Sequence, residues 1–210
     1  MIVAIDGPAG SGKSTTARAL AERLGFRYLD TGAMYRALTW LAMKRAMELS
    51  NEEALGRLAV AEPVTFDDAD RVWIGGTDVT ASIRSDRIDR MVPVVARHPA
   101  VRKVMRERQR QLGREGNVVI EGRDIGTVVA PDAEVKVYLT ADREVRASRR
   151  SAERPGIGAD ALATDLRKRD ISDADRMQPA PDAYEIDTTS LRVEDVVARI
   201  EELVRARTAA

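Results

Sequence analysis

The sequence contains no cysteine, a single histidine, two tryptophans and two phenylalanines in 210 residues. Without cysteine, a disulfide framework, a thiolate metal site and a cysteine nucleophile are all excluded. The one histidine, His98, sits beside Pro99 with no nucleophile or metal ligand paired with it along the chain, and is expected to be structural or on the surface. No apolar run approaches the ~20 residues of a membrane-spanning helix. The opening Met1-Ile2-Val3-Ala4-Ile5 is too short for a secretory signal and has no basic residue before it. Net charge is missing too, with Lys+Arg and Asp+Glu both at 34. That argues against a nucleic-acid or membrane binder, whose footprint is a basic excess. At 44% apolar residues the chain is not disordered. One domain with a real core, soluble and cytoplasmic, is the expectation.

Arginine, by contrast, is abundant, with 29 Arg against 5 Lys. Its planar fork grips phosphate or carboxylate at two points, although most of these side chains are expected on salt-bridged surfaces. Their placement is uneven. Residues 48–70 hold seven acids and one Arg, whereas residues 84–114 hold ten basic residues and three acids. A cationic face over the second stretch would suit a small anion.

The hydrophobic pattern predicts an α/β chain. Ile2–Asp6 reads as a buried strand, and Ala17, Leu20, Ala21 and Leu24 mark a helix stopped by Gly25. A strand over Phe26–Asp30 and a helix through Met34, Leu38, Leu41 and Ala42 come next. Val64–Phe66, Arg71–Ile74 and Thr77–Thr80 read as a small meander with Gly75-Gly76 as a hairpin turn. Pro93 is expected to interrupt a helix around Ile88–Ala96, and Pro99 to open one that ends at Gly113. Strands over Asn117–Glu121, Val135–Leu139 and Tyr184–Asp187 alternate with helices over 142–153, 159–169 and from Val193 to Val204. Pro155-Gly156-Ile157-Gly158 is expected to be a flexible joint. The alternation predicts a doubly wound parallel sheet carrying a small antiparallel insert.

Gly7-Pro8-Ala9-Gly10-Ser11-Gly12-Lys13-Ser14 fits the phosphate-binding pattern G-x-x-x-x-G-K-[ST] and lies between a predicted strand and a predicted helix, as the motif requires. The glycines let successive N–H groups point inward, and the helix start adds its positive end. Lys13 should reach the β- and γ-phosphates, and Ser14 should ligate Mg²⁺ with oxygens from phosphate and water. Thr15 should offer its backbone N–H to the α-phosphate. The loop implies a nucleoside triphosphate and does not name the reaction.

Two classes remain open at this point: a kinase of a small acceptor, and a nucleotide switch or ATPase. The chain has no Asn-Lys pair of the kind that reads guanine in switch GTPases. A kinase needs an anion pocket and a moving cover. Asp30-Thr31-Gly32-Ala33-Met34-Tyr35-Arg36 and Gly122-Arg123-Asp124 each follow a predicted strand at the carboxyl edge, where open α/β sheets bind ligands. Arg146, Arg149, Arg150 and Arg154 precede the Pro-Gly joint, and Arg169, Asp173 and Arg176 follow it, as in a lid. A solvated face paired with Asp165 and Asp170 is favoured for Arg146 and Arg154 over Arg169 and Arg176. No general base is evident, and none is needed if the acceptor is an already ionised monophosphate.

Five stretches together make the chain resemble the bacterial cytidylate (CMP) kinases. They are Ile5-Asp6-Gly7-Pro8, Leu29-Asp30-Thr31-Gly32-Ala33-Met34-Tyr35-Arg36, Pro99-Ala100-Val101-Arg102, Glu121-Gly122-Arg123-Asp124-Ile125-Gly126-Thr127-Val128-Val129, and Arg169-Asp170 with Asp173 and Arg176. The resemblance spans nearly the whole chain. It implies one P-loop kinase domain over 1–210, with a monophosphate-binding insert at about 60–113 and a short helical lid at about 148–160. It further implies transfer of the ATP γ-phosphate to CMP and dCMP with Mg²⁺, by a monomer needing neither nucleic acid nor membrane. A kinase of UMP or another small anion, or a non-kinase switch, is the alternative. By resemblance, Thr31, Arg102 and Asp124 would contact cytosine, Tyr35 would pack near the substrate, and Arg36 and Arg123 would hold its phosphate. Arg169 and Asp173 would bind the ribose, Arg176 would bridge to the phosphates, and Arg149 or Arg150 would meet ATP. Lys13, Arg123, Arg169 and Arg176 are the expected catalytic set. Two departures stand out. Position 121 is Glu where many members have Asp, which would shift metal-water geometry. Position 93 is Pro where members often have a Ser that touches the base, which implies weaker discrimination between CMP and UMP.

Overall fold

The computed structural model describes residues 1–154 and 156–209. In chain order its elements are β1 (Ile2–Asp6), α1 (Lys13–Leu24), β2 (Arg27–Asp30), α2 (Thr31–Lys44), α3 (Glu52–Ala61), β3 (Thr65–Phe66), β4 (Val72–Ile74), β5 (Thr77–Asp78), α4 (Asp86–Ala96) and α5 (Pro99–Gly113). Then follow β6 (Val118–Gly122), β7 (Val135–Thr140), α6 (Arg143–Glu153), α7 (Ala159–Asp173), β8 (Tyr184–Asp187) and α8 (Val193–Thr208). The chain divides into two compact units, one comprising Met1–Leu29 with the chain from Gly113 onward, the other Asp30–Leu112.

The first unit is built on the sheet β2-β6-β1-β7-β8, in which β1 pairs parallel with β6 and β7, and β7 with β8. Register aligns the carboxyl ends, so that Asp6 lies opposite both Gly122 and Tyr138. The loops that follow these strands therefore start side by side. Apolar residues run almost unbroken through β1, β6 and β7, as expected of strands buried on both faces. Leu20 of α1 and Ile200 of α8 share one fully buried cluster with Val3, Ile5, Val137 and Leu139. Gly25 ends α1 in the left-handed conformation, and its N–H meets the carbonyls of Ala21 and Glu22.

The second unit is organised around α2, which packs on α3, α4 and β4 and buries Met34, Leu38 and Leu41. The meander is the antiparallel sheet β3-β4-β5. Gly75 and Gly76 turn the hairpin with φ of +55° and +69°, the pair of positive values that a two-residue loop requires. Among the described residues no helix is long and apolar enough to cross a membrane.

Four local expectations need correction. The sequence reading left residues 52–61 without an element, yet Asn51 caps α3 by accepting the Ala54 N–H, and Leu55 and Leu58 are buried. Pro93 does not interrupt its helix. α4 runs through it to Ala96, with burial of Ile88 and Val95 offsetting the backbone bond that proline cannot donate. α7 extends past residue 169 to Asp173. Ile125–Val129, read only as a motif, is one π-helical turn in which the Asp124 carbonyl accepts the N–H groups of Val128 and Val129. Pro155 of the expected flexible joint lies outside the described residues.

Candidate active site

The phosphate loop joins β1 to α1, and its glycines are required by geometry. Gly7, Gly10 and Gly12 have φ of +145°, +79° and +87°. A Cβ on Gly7 would stand 2.1 Å from the Leu139 carbonyl oxygen, and one on Gly10 would stand 3.0 Å from Arg146 Cβ. Lys13 folds back over the loop, and its Nζ donates to the Pro8 carbonyl at 2.7 Å. Burial and the neighbouring Arg123 guanidinium lower the Lys13 pKa from 10.5 to about 7, against the pull of Glu121, Asp6 and Asp173. A phosphate in the loop would supply the missing negative charge and keep this ammonium protonated.

Below the loop, two carboxylates stand at the carboxyl ends of adjacent strands. Glu121 is buried and receives the Ser14 hydroxyl at 2.9 Å and the Tyr28 hydroxyl at 2.5 Å, one on each oxygen. The longer arm of Glu121 thus spans from Ser14 to Tyr28. Asp6 receives the Ile125 and Gly126 N–H groups at 2.9 and 2.8 Å, which fixes the loop bearing Arg123 and Asp124. Burial pushes the Asp6 carboxyl up, and Asp124 adds to that, while the two N–H groups and Lys13 oppose it. Ser14 and Glu121 form a hydroxyl–carboxylate donor set. It suits a Mg²⁺ ion that takes its remaining oxygens from phosphate and water.

The helices α6 and α7 bring further arginines to the loop. Arg149 donates to the Thr188 hydroxyl at 2.9 Å, to the Thr188 carbonyl at 2.6 Å and to the Gly10 carbonyl at 3.5 Å. Thr188 in turn donates to the Ser11 carbonyl at 3.0 Å. Asp173, at the end of α7, accepts from Arg123 at 3.1 Å and from Arg176 at 2.6 Å. Arg169 is half-buried on the same helix, and Arg150 pairs with Glu153. The solvated face expected for Arg146 is not found. Arg146 is buried, pairs through both terminal nitrogens with Asp170 and donates to the Ala9 carbonyl. Both terminal nitrogens of this desolvated guanidinium thus have acceptors, while its Nε is buried without one.

Thr31, Tyr35, Arg36 and Arg102 belong to the second unit. Asp30 caps α2 by accepting the Ala33 N–H at 2.8 Å and also receives Arg84 at 2.8 Å. Arg36 donates to the buried Asp89 at 3.0 Å. Burial raises the Asp30 pKa, but the Arg36 and Arg84 charges more than offset it and hold the carboxyl below its ordinary value. A Cβ on Gly32 would stand 2.8 Å from the Arg36 guanidinium, so glycine leaves the fork room over the start of the helix. Thr31 is buried, Tyr35 is half-buried one turn on, and Arg102 is half-buried on α5. His98 is structural, as expected, with Nε2 at 2.8 Å from the Leu49 carbonyl.

A family model described as cytidylate kinase matches residues 3–206. The chain belongs to the cytidylate kinase family. It is 46% identical to the cytidylate kinase of Geobacillus sp. (strain WCH70), over 98% of this chain and 96% of that one. It is 45% identical to the cytidylate kinase of Bacillus subtilis (strain 168), with the same coverage. A solved shikimate kinase from Bacteroides thetaiotaomicron aligns with a TM-score of 0.52 at 16% identity over 98% of each chain. A gluconokinase from Sinorhizobium meliloti 1021 aligns at 0.54 and 14%, over 99% of this chain and 93% of that one. Those two matches support the fold alone, a mostly parallel sheet with helices plus a small antiparallel sheet. Family membership makes the chain a nucleotide-binding phosphotransferase and sets aside the switch or ATPase reading.

Several residues of the site were not assigned a role from the sequence. Asp6 ends a strand next to the motif, which is an available signal, whereas Glu121 is tied by the resemblance to metal-water geometry. The partners Tyr28 and Thr188 come from distant elements and carry no local signature, whereas Asp170 is one of the two acids expected to pair with the helix-face arginines. Asp6→Asn replaces one acceptor oxygen with an NH₂ that faces a backbone N–H. It is expected to cost about 1–3 kcal/mol in urea unfolding. An unchanged urea midpoint would remove Asp6 as the anchor of the Arg123–Asp124 loop.

Proposed function

We propose that this family member transfers the γ-phosphate of ATP to CMP and dCMP, as a cytoplasmic monomer needing neither nucleic acid nor membrane. The observation that supports it most directly is the charge cluster at Lys13. Arg123 and Asp173 act on that lysine, and Asp173 also holds Arg176. The carboxylates beside these cations are engaged as acceptors: Glu121 by Ser14 and Tyr28, Asp6 by two backbone N–H groups, and Asp173 by Arg123 and Arg176. The cluster therefore suits an acceptor that is already an anion, whose phosphate oxygen attacks without losing a proton.

In this reading the N–H groups of Gly7–Thr15 (Gly7, Ala9, Gly10, Ser11, Gly12, Lys13, Ser14 and Thr15), with the Pro8 turn, enclose the ATP phosphates, and Lys13 follows the β- and γ-oxygens. Ser14 would be the protein ligand of Mg²⁺ and Glu121 would orient its water, and the ion would supply positive charge to the phosphates. Arg149 faces the nucleotide from the Gly10 side. Arg123, Arg169 and Arg176 neutralise the equatorial oxygens of the phosphoryl group in transit, and Arg169 and Asp173 hold the ribose hydroxyls. In the second unit, Arg36 holds the monophosphate, already aimed by Asp89. Thr31 and Arg102 read cytosine, and Tyr35 packs near the substrate. The insert expected at about 60–113 falls within the second unit except for Gly113, and we assign that unit to the acceptor.

A coupled ADP-release assay with Mg·ATP and CMP, dCMP, UMP, AMP, dTMP or shikimate tests the proposal. Fast turnover is expected with CMP and dCMP. Equal slow ATP loss with every acceptor would overturn it. Because Pro93 offers no hydroxyl, UMP is expected to be a measurable second substrate. Pro93→Ser should then raise the CMP/UMP ratio of kcat/KM by about 10-fold, the worth of one good hydrogen bond. A ratio that does not move removes position 93 from base selection. Lys13 makes ATP binding pH-dependent. With its pKa at about 7, the side chain is mostly neutral at pH 8 and regains its proton against phosphate. Calorimetry at pH 8 in buffers of differing ionisation heat should show uptake approaching one proton per Mg·ATP, with affinity falling as pH rises above 7. Lys13→Arg, which is always protonated, should show none.

A further inference from the structure

Of the four arginines on α6, Arg146 differs from the others in being buried, with 5% of its surface exposed. One terminal nitrogen donates to the Ala9 carbonyl at 3.0 Å and to Asp170 at 3.0 Å, and the other donates to Asp170 at 2.7 Å. Ala9 is inside the phosphate loop, and its neighbour Gly10 leaves no room for a side chain against Arg146. Asp170 stands one turn before Asp173, the residue that receives both Arg123 and Arg176. A single guanidinium therefore bonds to the loop that faces the donor phosphates and to the helix that carries Arg169 and Asp173. Asp170 also lines an open cavity of about 590 Å³ with Arg143, Arg167, Ile171 and Ala174. Ile171 is 73% exposed there.

We propose that Arg146 is a positioning residue for phosphoryl transfer. Its fork on Asp170 sets the α7 register at which Asp173 receives both Arg123 and Arg176, and its bond to the Ala9 carbonyl sets the curvature of the phosphate loop. The proposal rests on the kinase reading above, because it assigns Arg176 to the phosphoryl group. Lysine at position 146 keeps the charge but cannot reach two carboxylate oxygens and a carbonyl in one plane.

The test compares wild type, Arg146→Lys, Asp170→Asn and the double variant in three measurements: thermal midpoint, Mg·ATP dissociation constant without acceptor, and kcat with CMP. Wild-type turnover with CMP is read first, so a failure of the kinase reading is seen before any variant is compared. For variants folded at the assay temperature, kcat is expected to fall about 10- to 100-fold, the scale of a sub-ångström to 1 Å misplacement. The double variant should be no worse than about the poorer single one, because both changes break one pair. Arg146→Lys should also weaken Mg·ATP binding several-fold through the Ala9 carbonyl, a readout that stands whichever acceptor is correct. A merely structural pair would lower the thermal midpoint and leave kcat per folded molecule and ATP affinity at wild-type values. That result, or losses in kcat that multiply in the double variant, would overturn the proposal.

Discussion

Charge taken out of water has to be answered by other charge or by hydrogen bonds, and that requirement governs the phosphate-loop unit. Lys13, Asp6, Glu121 and Arg146 are all buried. An unpaired ion at any of these places would cost several kcal/mol. Each has its answer in a neighbour: Asp6 in two backbone N–H groups, Glu121 in two hydroxyls, Arg146 in Asp170 and a carbonyl. The parallel register makes this possible by delivering Asp6 and Gly122 side by side. Lys13 is answered least fully by protein, with one carbonyl contact and a pKa lowered to about 7. The remaining demand is for an anion, which is what the loop geometry can accept.

The second unit solves the same problem differently. Asp30 and Asp89 are buried, and their partners are Arg84 and Arg36. The carboxylates keep the guanidinium forks at the start of α2 ordered without consuming every donor. Arginine suits this task because its charge survives burial and its five N–H groups let it hold an internal acceptor and still face outward. Such pre-orientation reduces the side-chain entropy lost when a phosphate is bound.

How much of this was legible in the sequence follows from the range of each interaction. β1, the glycine loop and α1 were readable because strand run, motif and helix period are consecutive and mutually consistent. The hairpin at Gly75-Gly76 was readable because positive φ at two adjacent positions nearly demands glycine. α3 went unread although Asn51 and the buried Leu55 and Leu58 carry its signal, since the flanking acidic residues mask a short apolar face. Pro93 misled because its local penalty is outweighed by packing visible only in three dimensions. At the site, family motifs marked Arg123, Asp124, Asp173 and Arg176. The links between them run from residue 9 to 146 to 170, or from 11 to 188, and no local pattern records those distances.

The imbalance of 29 Arg to 5 Lys has a consequence for the division of labour. Arginine suits the place of Arg146, where two carboxylate oxygens of Asp170 and the Ala9 carbonyl are met by one planar fork that an ammonium cannot reproduce. Lys13 is a different case, its pKa lowered to about 7 by burial and the Arg123 charge. At that one position the loss is useful. A lysine near neutrality can sit beneath the loop without repelling Arg123 strongly and gains its charge as phosphate arrives. An arginine there would leave two permanent cations facing each other in a low-dielectric site. The enzyme thus keeps constant charge where geometry must be held and adjustable charge where the triphosphate enters. A phosphoryl transfer that needs no general base can be run by that arrangement alone.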